Sequence, residues 1–174
     1  RKNVLVRIIT FPCFYFQRIN KQVSKIITED YMAFYQLNYQ QVIKSDMNTV
    51  WEFIANPRNL KTITPDYMGF DITSEEVPEI MYEGMIISYK VSPFFNIKND
   101  WVTEITRIRE NEFFVDEQRI GPYVFWHHQH FFRQTDQGID MRDKVTYSPP
   151  FGVLGAICNS LFIRKKLEDI FNYR

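Results

Sequence analysis

The run "YVFWHHQHFF" at 123–132 contains His127, His128 and His130, the three histidines of the chain. Imidazole changes charge near neutral pH and is the commonest nitrogen ligand for metals. On a strand, successive side chains point to opposite faces. His128 and His130 would then share one face while His127 takes the other. Three chemistries are open to such a pair: general acid–base work, a polar floor that orients a ligand, or part of a metal-ligand set. What faces them across the sheet decides among these.

The strand that follows can be placed in register. "RQTDQGID" at 133–140 suits a two-residue turn at Asp136–Gln137, so Thr135 faces Gly138. Counting back, Arg133 faces Asp140, Phe131 faces Arg142, Gln129 faces Lys144 and His127 faces Thr146. On the other side Phe132 meets Met141, His130 meets Asp143, His128 meets Val145 and Trp126 meets Tyr147. One face is polar and the other is apolar with an embedded His–Asp pair; a one-residue slip would mix them. A second two-residue turn at Gly121–Pro122 would bring Val115 opposite His128 and Glu117 opposite Trp126.

A buried polar group without a partner costs about 1–3 kcal/mol. His130 and Asp143 must therefore satisfy each other, meet water, or meet a ligand. A structural pair, a ligand-orienting floor and a metal site all remain open. Two histidines and a carboxylate form a valid ligand set, but His-x-His on one strand lacks a third confirmed ligand. Neither a metal nor a cofactor is expected. No phosphate-cradling glycine loop, dinucleotide fingerprint or nucleophile elbow is present. Ser148 and Cys158 are read as structural.

The elements that carry these residues follow from periodicity. Residues 34–43 alternate as a strand. Ser45 or Asp46 then caps a helix whose Met47, Val50, Trp51 and Ile54 fall at helical spacing. Pro57 stops it at Asn56 and starts a second short helix, "PRNLKTI", which "TP" at 64–65 ends. Six strand patterns follow, at 67–76, 84–94, 98–108, 111–120, 123–133 and 138–148. After Pro149–Pro150, residues 151–173 read as a long helix. Its first half is apolar nearly all round, as in a helix covered on several sides; in its second half Ile163, Leu167, Ile170 and Phe171 face inward. Gly152 and Gly155 suit either close helix–sheet packing or a hinge that opens with loops 65–69 and 92–96. The layout is α+β.

Composition bounds the function classes. Aromatics make up 17% of 174 residues, more wall than a compact core of this size needs. Lys plus Arg and Asp plus Glu balance at 21 each, and no basic stripe marks a nucleic-acid surface. Residues 1–31 carry a net +4 and 32–174 a net −4. The apolar stretch near the start is interrupted by Arg7 and Pro12 and is too short to span a bilayer. Residues 1–31 are expected to be an appendage outside the fold, with a helix at 17–27. Two cysteines without metal-ligand spacing, Cys13 and Cys158, fit a reducing, cytoplasmic setting.

The runs "VWEFIANPRNLKTITPDYMGFDI", "EGMIISYKV", "WHHQHFF", "DKVTYSPPFGVLG" and "RKKLEDIFNYR" resemble, in that order over about 34–174, the SRPBCC (START-like) superfamily. They look most like its small bacterial members called cell-division-inhibitor-like. The resemblance implies a helix-grip fold: a seven-stranded antiparallel sheet wrapped around a long C-terminal helix, with two short helices after the first strand. It implies a START-like ligand-binding domain over 32–174 with an apolar cavity between sheet and helix. It also implies a hydrophobic small molecule or lipid as partner, with no nucleic acid and no stable membrane insertion. The sheet side of that cavity would be Trp101, Phe113, Val115, Glu117 and Trp126, then His128, His130, Met141, Asp143, Val145 and Tyr147. The helix side would be Leu154, Ile157, Cys158 and Leu161. The alternative it implies is a cyclase, dehydratase or hydrolase, with His130 and Asp143 as candidate catalytic residues.

Overall fold

The computed structural model describes residues 32–92 and 98–174. The proposed appendage, its helix at 17–27 and most of the 92–96 loop lie outside the described residues. Within them, β1 (Tyr35–Ile43) leads into helix α1 (Met47–Ala55). Asp46, not Ser45, caps α1: its Oδ1 accepts from the Thr49 backbone N–H at 3.0 Å. Asn56 is extended ahead of Pro57, as proline requires of its predecessor. The second short helix is a 3-10 turn, Pro57–Lys61, and another follows at Asp66–Met68.

The sheet then forms as a meander: β2 (Asp71–Ile72), β3 (Ile86–Val91), β4 (Asn99–Arg109), β5 (Phe113–Ile120), β6 (Phe125–Thr135) and β7 (Gly138–Ser148). The strand read at 67–76 shrinks to two residues. Its first part is consumed by the 3-10 turn and by Gly69, whose φ of 55° is left-handed. All seven strands are antiparallel in the order β1-β7-β6-β5-β4-β3-β2, so β1 closes onto the last strand of the meander.

The long helix comprises α2 (Gly152–Cys158), a π-helical segment (Asn159–Ile163) and α3 (Arg164–Tyr173). Ile163, Leu167, Ile170 and Phe171 are buried against the sheet, as their spacing predicts. Phe171 stacks on Tyr39 at 4.8 Å. The first half departs from expectation. Leu154, Ile157 and Leu161 are 54%, 50% and 70% exposed, so α2 and the π-helical segment present apolar side chains outward. Gly155 is buried, and a Cβ there would run into the Pro150 carbonyl oxygen. Close backbone approach accounts for this glycine better than a hinge does.

Candidate functional site

The β6–β7 register is the one the turn dictates: Thr135 faces Gly138, His130 faces Asp143, His128 faces Val145 and Trp126 faces Tyr147. The β5–β6 register is not. Glu117 faces His127, Asp116 faces His128, Val115 faces Gln129, Phe114 faces His130 and Phe113 faces Phe131. This differs by one residue from the tight turn at Gly121–Pro122, and one residue exchanges the faces. The physical reason is Gln118. Its Nε2 donates to the Tyr123 carbonyl at 2.7 Å and its Oε1 accepts from the Tyr123 N–H at 3.2 Å, closing a wider loop.

Phe113, Val115 and Glu117 therefore lie on the outer face, and Phe114 and Asp116 turn inward. Glu117 pairs outside with His127, 2.8 Å away. A one-residue shift of the "FFVDEQRI" alternation was the signal that would have found Asp116.

Asp116, partly buried, completes a closed set of four groups with the buried His128, His130 and Asp143. His128 Nδ1 lies 3.3 Å and His130 Nε2 2.9 Å from Asp116 Oδ2. On the far side His128 Nε2 lies 2.9 Å from Asp143 Oδ1, and His130 Nδ1 lies 2.7 Å from it. That last contact is close but off the hydrogen-bonding line, leaving His130 Nδ1 without an aligned partner among the described residues. The imidazole centroids lie 3.7 Å apart with the ring planes tilted by 40°, and Phe114 stacks on His130 at 3.9 Å.

Burial alone would raise the carboxyl pKa of Asp116 and Asp143. The facing histidines outweigh it and hold both well below the usual carboxylate range. Burial alone would lower His128; the two carboxylates outweigh that and raise it.

Above this cluster is a cavity of about 160 Å³. Of the expected lining, Trp101, Trp126, His128, His130 and Met141 do line it. Asp143 sits behind the imidazoles, and Val145 and Tyr147 are wholly buried in the core, where the Tyr147 hydroxyl donates to Asn159 at 2.8 Å. The helix contributes Leu167, Ile170 and Phe171, with Arg174 just past its end, instead of Leu154, Ile157, Cys158 and Leu161. The chain turns α2's apolar side away from the cavity and brings α3 over it; Cys158 is only partly buried against the core.

Sequence reasoning also missed Tyr89 and Thr103 on the sheet, Tyr123 in the β5–β6 loop, and the wall from α1 and the turn after it, including Phe53, Ile54 and Leu60. That wall is the least buried stretch of lining. Thr103 Oγ1 accepts from Trp101 Nε1 at 3.0 Å and lies 2.8 Å from the Tyr89 hydroxyl. The buried Tyr123 hydroxyl has no hydrogen-bond partner among the described residues.

No family model matches the chain, and no curated protein matches it. Solved structures do. TTHA0849 from Thermus thermophilus aligns with a TM-score of 0.62 at 14% identity, covering 80% of this chain and 90% of that one. Truncated norcoclaurine synthase from Thalictrum flavum gives 0.58 at 9%, covering 82% and 92%. Major latex-like protein 151 from Panax ginseng gives 0.58 at 16%, covering 80% and 91%. Likeness at such identities is a statement about fold, not activity. A seven-stranded antiparallel sheet with a long closing helix, shared with these proteins over four-fifths of the chain, is the helix-grip fold of the Bet v1/SRPBCC-like proteins.

Proposed function

We propose that the protein is a START-like binding protein of the SRPBCC group that holds a hydrophobic small molecule or lipid between the sheet and the closing helix. The observation that carries this is the cavity: aromatic and aliphatic walls around a floor of Asp116, His128 and His130. Apolar surround with a few convergent polar groups is the usual make-up of a small-molecule site. Its volume of about 160 Å³ sets the scale. A void of roughly 150 Å³ accepts a benzene-sized guest, whereas drug-sized ligands need roughly 300–1,000 Å³. The reading is therefore a single-ring molecule, or a longer one whose tail leaves past α1. A ring burying about 150 Å² gains roughly 4 kcal/mol before association entropy is subtracted. Its polar end would meet the histidine–aspartate floor or the Tyr123 hydroxyl, which has no partner among the described residues.

Native mass spectrometry of gently purified protein and titration with small phenols and aromatic acids test the reading. Trp101 and Trp126 line the cavity, so occupancy should shift their emission saturably at one molecule per chain. If nothing co-purifies and no such compound alters the emission, the reading is wrong.

One observation favours a second reading: Asp116, His128 and His130 face the cavity, where an imidazolium can hand a proton to a bound molecule. A bound molecule recovered chemically altered, with turnover lost in His130→Ala, would point to that chemistry. Recovery unchanged supports binding alone.

A further inference from the structure

We propose that Asp116, His128 and His130 form a binding site for a divalent first-row transition-metal ion, with Asp143 holding both imidazoles in their ligating orientation. One donor atom from each of the three lies within 4.8 Å of the others, and all three side chains line the cavity. Bonds from such ions to nitrogen and oxygen are about 2.0–2.2 Å, so adjacent donors around one ion stand about 3–3.5 Å apart. The Asp116 Oδ2 distances of 2.9 Å to His130 Nε2 and 3.3 Å to His128 Nδ1 already fit.

The back of the cluster supplies the second part. A metal-ligating histidine donates its other ring N–H to a carboxylate or carbonyl, which fixes the tautomer and the ring plane. Here the opposite nitrogens, His128 Nε2 and His130 Nδ1, both face Asp143 Oδ1, at 2.9 and 2.7 Å. His130 Nδ1 lies off the line and has no aligned hydrogen-bond partner among the described residues.

A bound divalent cation would neutralise the two carboxylates in place of protons on the imidazoles, and buried charge persists only when neutralised. Two nitrogens and one oxygen, without thiolate, suit zinc or iron better than calcium or magnesium. Three protein ligands leave the remaining coordination positions facing the cavity, open to water or to an oxygen of a bound molecule. The inference stands on these four side chains and is independent of which molecule fills the cavity.

The full chain, treated with chelator and desalted, is titrated with Zn²⁺ by calorimetry and with Co²⁺ by visible absorption and tryptophan emission. One equivalent should bind. Co²⁺ should quench emission, since the Trp126 ring lies 6.2 Å from that of His128. Asp116→Asn should weaken binding at least 100-fold and Asp143→Asn 10- to 100-fold. His127→Ala, on the outer face, should leave it unchanged. Absence of saturable uptake overturns the proposal, as does uptake that survives Asp116→Asn in folded protein or depends on His127. Co²⁺ binding that leaves emission unchanged places the ion elsewhere and overturns it even if the aspartate variants fail to fold.

Discussion

At His128 and His130 the protein keeps two imidazoles out of water and places a carboxylate on either side of them. Removing one member of a buried charged set strands the others and typically destabilises by about 3–5 kcal/mol. His130→Ala should therefore lower stability by roughly that much in urea denaturation. His127→Ala, losing a partly exposed contact with Glu117, should change it by less than about 1 kcal/mol. Equal losses from both variants would refute the division of the trio between two faces. That division was legible in the sequence, because strand alternation needs no tertiary information. Asp116 was not, because its face depends on how many residues the β5–β6 loop takes up, and one Gln118 side chain settles that.

At the scale of elements, the β6–β7 hairpin and the start of the closing helix each carry a testable feature. Asp140 of β7 is buried and accepts from Arg142, from Gln40 Nε2 at 2.7 Å and from Arg133 at 2.9 Å. Arg142 first, then Gln40 and Arg133, hold its carboxyl below the usual range. A group whose pKa is depressed by folding contributes stability above its unfolded pKa and loses it as pH falls. Asp140→Asn should therefore be less stable than wild type at neutral pH, with the gap narrowing below about pH 4. A gap that is constant with pH would show that the charge plays no part. At the helix, Gly155→Ala should cost about 1–3 kcal/mol, because the new methyl meets backbone rather than a side chain that could move aside. An unchanged melting temperature would contradict the close packing of α2 on Pro150.

For the whole molecule, a ligand that binds the folded chain alone must stabilise it, by about 2.7 kcal/mol at a hundred times its Kd. A compound identified through tryptophan emission should raise the urea midpoint accordingly, and failure to do so would place its binding outside the folded cavity. The sequence by itself determined the order of elements, the register of the last hairpin and the inward stripe of α3. Each is a local property: a turn two residues long, a strand period of two, a helix period of 3.6. The tertiary structure alone decided which residues wall the cavity. Leu154, Ile157 and Leu161 are as apolar as Leu167 and Ile170, and no local rule separates them. The path of the helix across the sheet, set by packing of Phe171 on Tyr39 and of Gly155 on Pro150, turns one set outward and the other over the histidines.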